Sequence, residues 1–348
     1  MTYVARWIEK TPLEERDSAD YYVECCEFLV DFISKRPRLV GSEVHAALLE
    51  LLQVLNTPPD QRRFERSGMI EKLTNGFWFI PPPSVVPAKS FLAALLLFGM
   101  VGKSLYFISK KPQSAQFEEE VRRLFEDLNQ FRGNLWLFYS AGLLAQSGFE
   151  IEFITESDVR TPDYRATRGS VTVFVEASAR SQSRTTIEGL QDILWNVMHG
   201  DASSGKQIKF IDPSFDPGLI VVDLSNSDVN ANSTGRIPVM KLQPGAFVVS
   251  NGRGFVYDIS QDPKFFTQLE NTGNIIDLSV RFFHMMVATG RYFVRALLVG
   301  ISMGIHETVG NFDARKGAVM FVDSRYAHLA LQELASAIYL VDTRKPLP

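Results

Sequence analysis

The first third of the chain has the spacing of apolar and polar residues that is typical of amphipathic helices. Apolar residues recur three and four positions apart, which gathers them on one face of a helix. Proline-containing segments at 56–59 and 81–83 interrupt the pattern and separate neighbouring helices. We therefore predict a helical N-terminal domain over residues 1–115 that ends in a linker at 110–114. Its predicted helices are Tyr21–Ser34, Ser42–Leu55 with Ser42 as N-cap, Gln61–Leu73 and Ala88–Val101.

The remainder, residues 116–348, mixes helical periodicity with short runs of strand character. An acidic helix over Phe117–Phe131 leads into a second, mostly apolar helix, which Gly148 ends. Alternating apolar and polar residues over 149–155 indicate a strand. The predicted core then has the order helix, three strands, helix, strand. Its members are helix Gly133–Ser147, strand 149–155, two hairpin strands, helix Thr186–His199 and strand Gly218–Leu224, which form a mixed sheet in an α/β domain.

Residues 225–275 are polar and irregular at first and are interpreted as an insertion into this core. Short strand signals near 245–256 lie within it. Beyond the insertion, the pattern predicts further elements of the α/β domain. These are a helix over 275–289, strands over 293–301 and 317–322, and a final amphipathic helix over 326–340.

Two carboxylates lie on the predicted hairpin. Arg168-Gly169 is a plausible two-residue turn because glycine tolerates positive φ. With that turn, Thr167 pairs with Ser170, and Asp163 becomes a diagonal neighbour of Glu176 on one face of the sheet. Two carboxylates at such spacing can converge on one hard cation, so this pair is a candidate site for Mg²⁺ or Mn²⁺.

The element order and the two acids together resemble the PD-(D/E)XK nuclease superfamily, over roughly residues 130–225. The matching motif residues are Pro162-Asp163 and Glu176-Ala177-Ser178. The resemblance implies an αβββαβ core and metal-dependent cleavage of DNA or RNA phosphodiesters. It also implies that Asp163 and Glu176 are metal ligands, with the Ala177 carbonyl as a third.

The chain departs from this motif at Ser178, which stands where the superfamily has a lysine. A lysine there would stabilise the charge that develops on the phosphate, and a serine carries no charge. The superfamily is known to move this lysine, and Lys206 is our preferred substitute, with Lys209 and Arg180 as others. The alternative hypothesis is a catalytically degenerate module that keeps the fold and binds nucleic acid or a protein partner. A protein partner would be contacted through the N-terminal helices.

The overall net charge of −4 argues against a generally basic nucleic-acid binder. Residues 160–184 differ from this average, because five arginines there surround Asp163 and Glu176. Such a local excess of positive charge suits an approaching phosphate backbone. The same arginines could instead form a solvated face of the hairpin. The arginines that we assign to nucleic-acid binding are Arg165, Arg168, Arg180 and Arg184.

The cysteine content and the apolar segments indicate in which cellular compartment the protein is expected. The two cysteines, Cys25 and Cys26, are adjacent and favour a reducing compartment, and the chain lacks the Cys/His spacing of a zinc site. The N-terminus lacks the apolar region of a signal peptide. Residues 91–101 are strongly apolar but too few to span a bilayer. We expect a cytoplasmic protein with no membrane contact.

Two further motifs offer other chemistries. Residues 200–207 fit the P-loop pattern except that Gln207 replaces the hydroxyl residue that binds Mg²⁺. Gly300–Gly304 matches the G-x-S-x-G nucleophile elbow, with Ser302 as nucleophile. His328 and either Asp313 or Asp323 follow in the order of a triad, so a serine hydrolase is the second alternative function.

Overall fold

The structure is a computed structural model, and its two compact units are described separately. One unit comprises residues 1–146 and 303–315, and the other comprises 147–302 and 316–348. Residues 116–146, which we assigned to the α/β domain, have their contacts in the first unit. The residues described are 19–58, 61, 63, 65, 67–74, 86–146, 148–155, 161–179, 214, 217–223, 254–258, 294–308 and 311–322.

Helices make up the described part of the first unit up to residue 146. Ser42 caps the second helix as predicted, since its side chain accepts a hydrogen bond from the His45 amide. Ser114 caps the fifth helix in the same way, through the Phe117 amide. The helices are α1 Ala19–Ser34, α2 Glu43–Leu55, α3 Gly68–Thr74, α4 Val86–Ile108, α5 Ala115–Glu126 and α6 Leu128–Gln146.

Two predicted helix boundaries were wrong for local reasons. The helix predicted at Gln61–Leu73 is only α3, because Ser67 Oγ accepts from the Ile70 amide and starts the helix there. The helix predicted over Ala88–Val101 ends at Ile108 instead of Val101. It begins at Val86, because proline is tolerated in the first turn, where the amide hydrogen that it lacks would have no partner within the helix. Side-chain hydrogen bonding and first-turn proline thus moved both starts.

The acidic helix predicted over Phe117–Phe131 is also divided differently. The Asp127 carboxylate accepts hydrogen bonds from the amides of Asn129 and Gln130, at 2.7 and 2.9 Å, and so starts a new helix. Gly133 therefore lies inside α6 instead of beginning it. Gly148 adopts φ +88°, as expected for the glycine beyond the end of this helix.

Helix α4 lies at the centre of the helical unit and is buried on nearly all sides. It packs against α1, α3 and α6. Three glycines allow unusually close approach. A Cβ added to Gly99 would lie 2.2 Å from Tyr22 Cδ1, and one added to Gly102 would lie 2.2 Å from the Cys25 carbonyl oxygen. A Cβ on Gly142 of α6 would lie 2.4 Å from Ser104 Cβ.

The thiols of Cys25 and Cys26, both in α1, are buried. Burial raises the pKa of Cys26 well above its ordinary value, and Cys25 and Glu27 raise it further. Because the thiolate is the reactive form, alkylation of the native protein at pH 8 should leave both cysteines unmodified. Denaturant should expose both, as mass spectrometry of the labelled protein would measure. Modification of either thiol without unfolding would contradict this burial.

The pKa of Cys26 also sets the direction of a pH effect on stability. In the unfolded state, the Cys26 thiol loses its proton above about pH 8.5. In the folded state, the same thiol keeps its proton at that pH. The unfolded state then binds fewer protons, so the free energy of unfolding contributed by this group falls as the pH rises beyond that value.

A mixed seven-stranded sheet, in the order β1-β2-β3-β4-β6-β7-β5, makes the protein α/β as predicted. Strands β1, β2 and β3 pair antiparallel in succession. Strand β3 pairs parallel with β4, β4 with β6, and β5 with β7. The strands are β1 Glu150–Phe153, β2 Tyr164–Arg168, β3 Val171–Ala179, β4 Gly218–Asp223, β5 Gly254–Asp258, β6 Val294–Thr308 and β7 Asn311–Val322.

The predicted strands over 149–155, 218–224, 293–301 and 317–322 are confirmed within one to several residues at their ends. Parallel pairing of β3 with β4 requires a crossover connection between the two strands. The helices predicted at 186–199, 275–289 and 326–340 lie outside the described residues, as does most of the predicted insertion at 225–275. Among the helices described, none is long and apolar enough to cross a membrane.

Candidate metal centre

The hairpin that carries the two acids forms as predicted, but its register is different. The turn consists of Gly169 and Ser170, and Arg168 pairs with Val171. Gly169 has φ +60°, which suits a turn that needs positive φ only at its first central residue. The predicted turn would have required Arg168 to adopt positive φ, which costs more for a residue with a side chain.

The observed register places the two acids just beyond the last pair of the hairpin. Tyr164 pairs with Val175, so Asp163 directly precedes one paired residue and Glu176 directly follows the other. The Asp163 amide also donates to the Val175 carbonyl, so the regular pairing ends at Tyr164. The predicted pairing of Thr167 with Ser170, and of Asp163 with Phe174, was therefore wrong by one residue on each strand.

Burial alternates along the hairpin and distinguishes its two faces. Tyr164 and Val175 are fully buried, as are the residues two positions away on the same face, Ala166 and Val173. The opposite face is half-buried or exposed, and it carries Thr172, Phe174 and Glu176 on β3 and Arg165 and Thr167 on β2. Asp163 lies just before the first residue of β2, Tyr164.

Three hydrogen bonds fix Asp163 at the start of β2. Its amide donates to the Val175 carbonyl at 2.9 Å, and its carbonyl accepts from the Ile154 amide at 3.0 Å. Its carboxylate oxygen Oδ2 accepts from the Ala177 amide at 2.7 Å. The last bond is charge-assisted and joins the Asp163 carboxylate to the peptide group that follows Glu176.

Glu176 is held in the middle of the sheet. Strand β3 has a partner on each side, and Glu176 is in register with Ile220 of the parallel strand β4. Ile220 and its neighbours Leu219 and Val221 are buried. The Glu176 side chain is half-buried, and its oxygen Oε2 is shielded from solvent. A carboxylate in this position is held by rigid strands instead of a loop.

Together, the two acids offer hard oxygen donors. Mg²⁺ is commonly bound by only one or two carboxylates, with waters and substrate phosphates completing its shell. Asp163 and Glu176 fit that requirement by type and number. Within the described part of the chain, no group of three or more His, Cys, Asp or Glu side chains is arranged to hold a metal ion.

The described arginines on the hairpin lie on different faces. Arg165 is exposed on the face of Glu176, and its guanidinium forms an ion pair with Glu152, its cross-strand neighbour on β1. Arg168 lies on the opposite face of the hairpin, and its guanidinium is 5.2 Å from the centroid of the Phe149 ring. Of these two cations, therefore, only Arg165 shares the face of Glu176.

The other residues proposed for the site lie largely outside the described residues. These include Arg180, Arg184, Lys206 and Lys209, and the P-loop-like segment 200–207. Ser178 lies in β3, in register with Val222. Ser302 lies within the continuous strand β6, whereas a nucleophile elbow is a sharp turn from a strand into a helix. The backbone around Ser302 thus differs from that elbow.

Sequence reasoning missed two groups near the acids. The Ala177 amide binds Asp163, whereas we had considered only the Ala177 carbonyl as a ligand. Glu152 pairs with Arg165, and the alternation of charged residues on neighbouring strands could have indicated this pair once the register was known.

No family model, curated protein or solved structure matches the chain significantly.

Proposed function

We propose that the protein is a metal-dependent nuclease whose metal ligands are Asp163 and Glu176. One observation carries the proposal: the hydrogen bond from the Ala177 amide to Asp163 Oδ2, at 2.7 Å, keeps the Asp163 carboxylate beside Glu176. Two adjacent carboxylates on rigid strands would repel each other without a cation between them or a nearby positive charge. A hard divalent cation, Mg²⁺ or Mn²⁺, matches this donor set.

When bound, such a cation lowers the pKa of a coordinated water and offsets the charge that develops on a phosphate. The residues of the chain have separate roles. Asp163 and Glu176 hold the cation, and the Ala177 amide orients Asp163 by its hydrogen bond. Arg165, exposed on the same face, would contact a phosphate of the substrate by exchanging its carboxylate partner for that phosphate.

The order of elements supports a relationship to the PD-(D/E)XK superfamily. Helix α6 precedes three antiparallel strands, and β4 joins β3 in parallel after a crossover. This is the succession of the αβββαβ core, apart from the crossover helix, which is proposed from sequence alone. The acids of the motif fall at the start of β2 and near the end of β3.

The second candidate is a degenerate module that binds nucleic acid without cleaving it. The observation that favours it is Ser178, a neutral residue two positions beyond Glu176 on the same strand. In the active enzyme, we propose that Lys206 supplies the missing positive charge. The two candidates differ in cleavage but not in binding.

The deciding experiment is a cleavage assay. Purified full-length protein is incubated with single- and double-stranded DNA and RNA in Mg²⁺ or Mn²⁺, with EDTA as the metal-free control. We expect cleavage only with metal. Binding without cleavage under every condition would establish the degenerate module, and neither binding nor cleavage at low salt would end both proposals.

Metal should also stabilise the native protein, because only the folded state brings the two acids together. At a metal concentration of 100 times Kd, the stabilisation is about 2.7 kcal/mol. Thermal unfolding with and without Mn²⁺ measures it. The double variant Asp163→Asn/Glu176→Gln should lose the metal response and remain folded. A response of the same size in this variant would assign the cation to a different site.

A further inference from the structure

One ion pair crosses the antiparallel strands beside the candidate metal centre. It joins the Arg165 guanidinium on β2 to the Glu152 carboxylate on β1, and the two residues are direct cross-strand partners. Both side chains are largely in water, since 45 % of Arg165 and 58 % of Glu152 is exposed. Because water competes for both groups, this pair is open to exchange with other charged groups on the same face.

Strand β2 lies between β1 and β3, so Arg165 has neighbours on both sides. On β3 it pairs with Phe174, and Glu176 lies two residues further along the same face. Arg165 and Glu176 are thus diagonal neighbours, at a Cβ separation of about 7–8 Å that long side chains can bridge. The guanidinium is therefore within reach of one carboxylate on each side of its strand, Glu152 and Glu176.

The geometry of the sheet explains why Arg165 is bonded to Glu152. Residues directly opposite each other have Cβ atoms about 4.5–5.5 Å apart, so Glu152 is the nearer of the two acids. Glu176 is half-buried, and a guanidinium that approaches it loses more of its hydration. Both effects favour Glu152, in agreement with the observed ion pair.

The preference for Glu152 is nevertheless weak, because an ion pair between exposed side chains changes an equilibrium constant by a factor of no more than about five. Without the Glu152 charge, Arg165 would have two diagonal acids within reach on the neighbouring strands, Glu150 on β1 and Glu176 on β3. A guanidinium bonded to Glu176 would compete with a metal ion for that carboxylate, since the two positive charges repel each other.

We propose that Glu152 is a positioning residue that holds the Arg165 guanidinium away from Glu176 and so keeps that carboxylate available to a divalent cation. The inference rests on the proposed function, in which Glu176 is a metal ligand. It gives a role to a residue of β1 that is not itself a ligand and acts only through Arg165. Since the pair is weak, Arg165 remains free to exchange Glu152 for a phosphate of the substrate.

The first test follows Arg165 directly, in EDTA. The Arg165 Nε–H signal in the NMR spectrum of protein with isotope-labelled arginine is identified by its loss in Arg165→Gln. Glu176→Gln should move this signal only slightly in the wild type, because Arg165 is bonded to Glu152. In the Glu152→Gln background, the same Glu176→Gln change should move it several-fold further.

Glu150→Gln is the matched control. It removes the same charge from the same strand, but Glu150 pairs with Thr167, and Arg165 keeps its bond to Glu152. The Arg165 signal should then respond to Glu176→Gln as it does in the wild type. The response should be largest in Glu150→Gln/Glu152→Gln, where both acids of β1 that Arg165 can reach have lost their charge.

The second test measures the apparent Kd for Mn²⁺ from thermal unfolding over a series of Mn²⁺ concentrations. Glu152→Gln should bind Mn²⁺ about two- to fivefold more weakly than Glu150→Gln, because Arg165 then competes for Glu176. The loss of one negative charge from β1 is common to both variants and cancels in the comparison. In the Arg165→Gln background the difference should disappear, which a merely structural role of Glu152 would not predict.

Two results would overturn the proposal. One is an Arg165 signal that responds equally to Glu176→Gln in the wild type and in Glu152→Gln. The other is measurable Mn²⁺ binding that is equally tight in Glu152→Gln and Glu150→Gln. A responsive signal in a protein that binds no Mn²⁺ would uphold the placement of Arg165 and reject the proposed metal centre. Mn²⁺ binding with an unresponsive signal would do the reverse.

Discussion

Glu176→Gln is expected to reduce metal-dependent cleavage by about 10³-fold. The substitution keeps the size of the side chain and removes the charge that holds the cation, so activation of the water is lost. The Glu176 side chain is half-buried and glutamine has nearly the same volume, so the variant should remain folded. Initial rates on a labelled oligonucleotide in Mn²⁺, with thermal unfolding of each variant, measure both quantities.

Asp163 allows the structural and chemical roles of its carboxylate to be separated. Asp163→Asn retains an oxygen that can accept the hydrogen bond from the Ala177 amide, whereas Asp163→Ala removes it. Both variants should lose cleavage, but only Asp163→Ala should lose stability as well, by about 1–3 kcal/mol for the unsatisfied amide. Asp163→Asn with wild-type cleavage would show that the charge is not required.

Two further variants complete this series. Glu150→Gln removes an exposed acid from the neighbouring strand β1 and should leave cleavage unchanged, as the matched control. Lys206→Gln should slow cleavage by about 10²–10³-fold if this lysine stabilises the charge on the phosphate. Full activity in Lys206→Gln would transfer that role to another cation.

Gly102→Ala is expected to lower the free energy of unfolding of the helical unit by about 3 kcal/mol. The added Cβ would lie 2.2 Å from the backbone oxygen of Cys25, and a backbone atom cannot move aside as a flexible side chain can. Helices α1 and α4 would have to separate and lose packing along their contact. Denaturant unfolding followed by circular dichroism measures the change.

Gly133→Ala is the control for this prediction. Gly133 also lies inside a helix, α6, but nothing lies within 4 Å of an added Cβ. Alanine favours the helix over glycine by about 1 kcal/mol at both positions, so the difference between the variants isolates the contact. A stabilising effect of Gly102→Ala, equal to that of Gly133→Ala, would contradict the close approach of α1 and α4.

Local chemistry allowed much of the fold to be predicted from the sequence. Ser42 signals its helix because the capping hydrogen bond to His45 spans only three residues. The hairpin around Gly169 is similarly local, and the strand at β4 is evident from a run of β-branched residues. The helix starts at Ser67 and Asp127, which we predicted wrongly, also have local causes. Several nearby residues could have capped these helices, so the sequence did not single out the capping residue.

The candidate site was predicted only in outline. Sequence spacing indicated that Asp163 and Glu176 share one face, since side chains alternate along a strand. The position of the turn was ambiguous by one residue, because a glycine can occupy either central position of a hairpin turn. The structure resolved this by pairing Arg168 with Val171, which placed Asp163 and Glu176 just beyond the last pair of the hairpin, Tyr164 with Val175.

The sequence by itself determined most of the described helices and strands and the hairpin that carries the two acids. These depend on residues close together in the chain. Tertiary structure alone decided that β3 and β4 run parallel, that Ala177 binds Asp163, and that Gly102 of α4 lies against Cys25 of α1. Such contacts join distant residues, and they form only where packing brings two elements together, which no local pattern specifies.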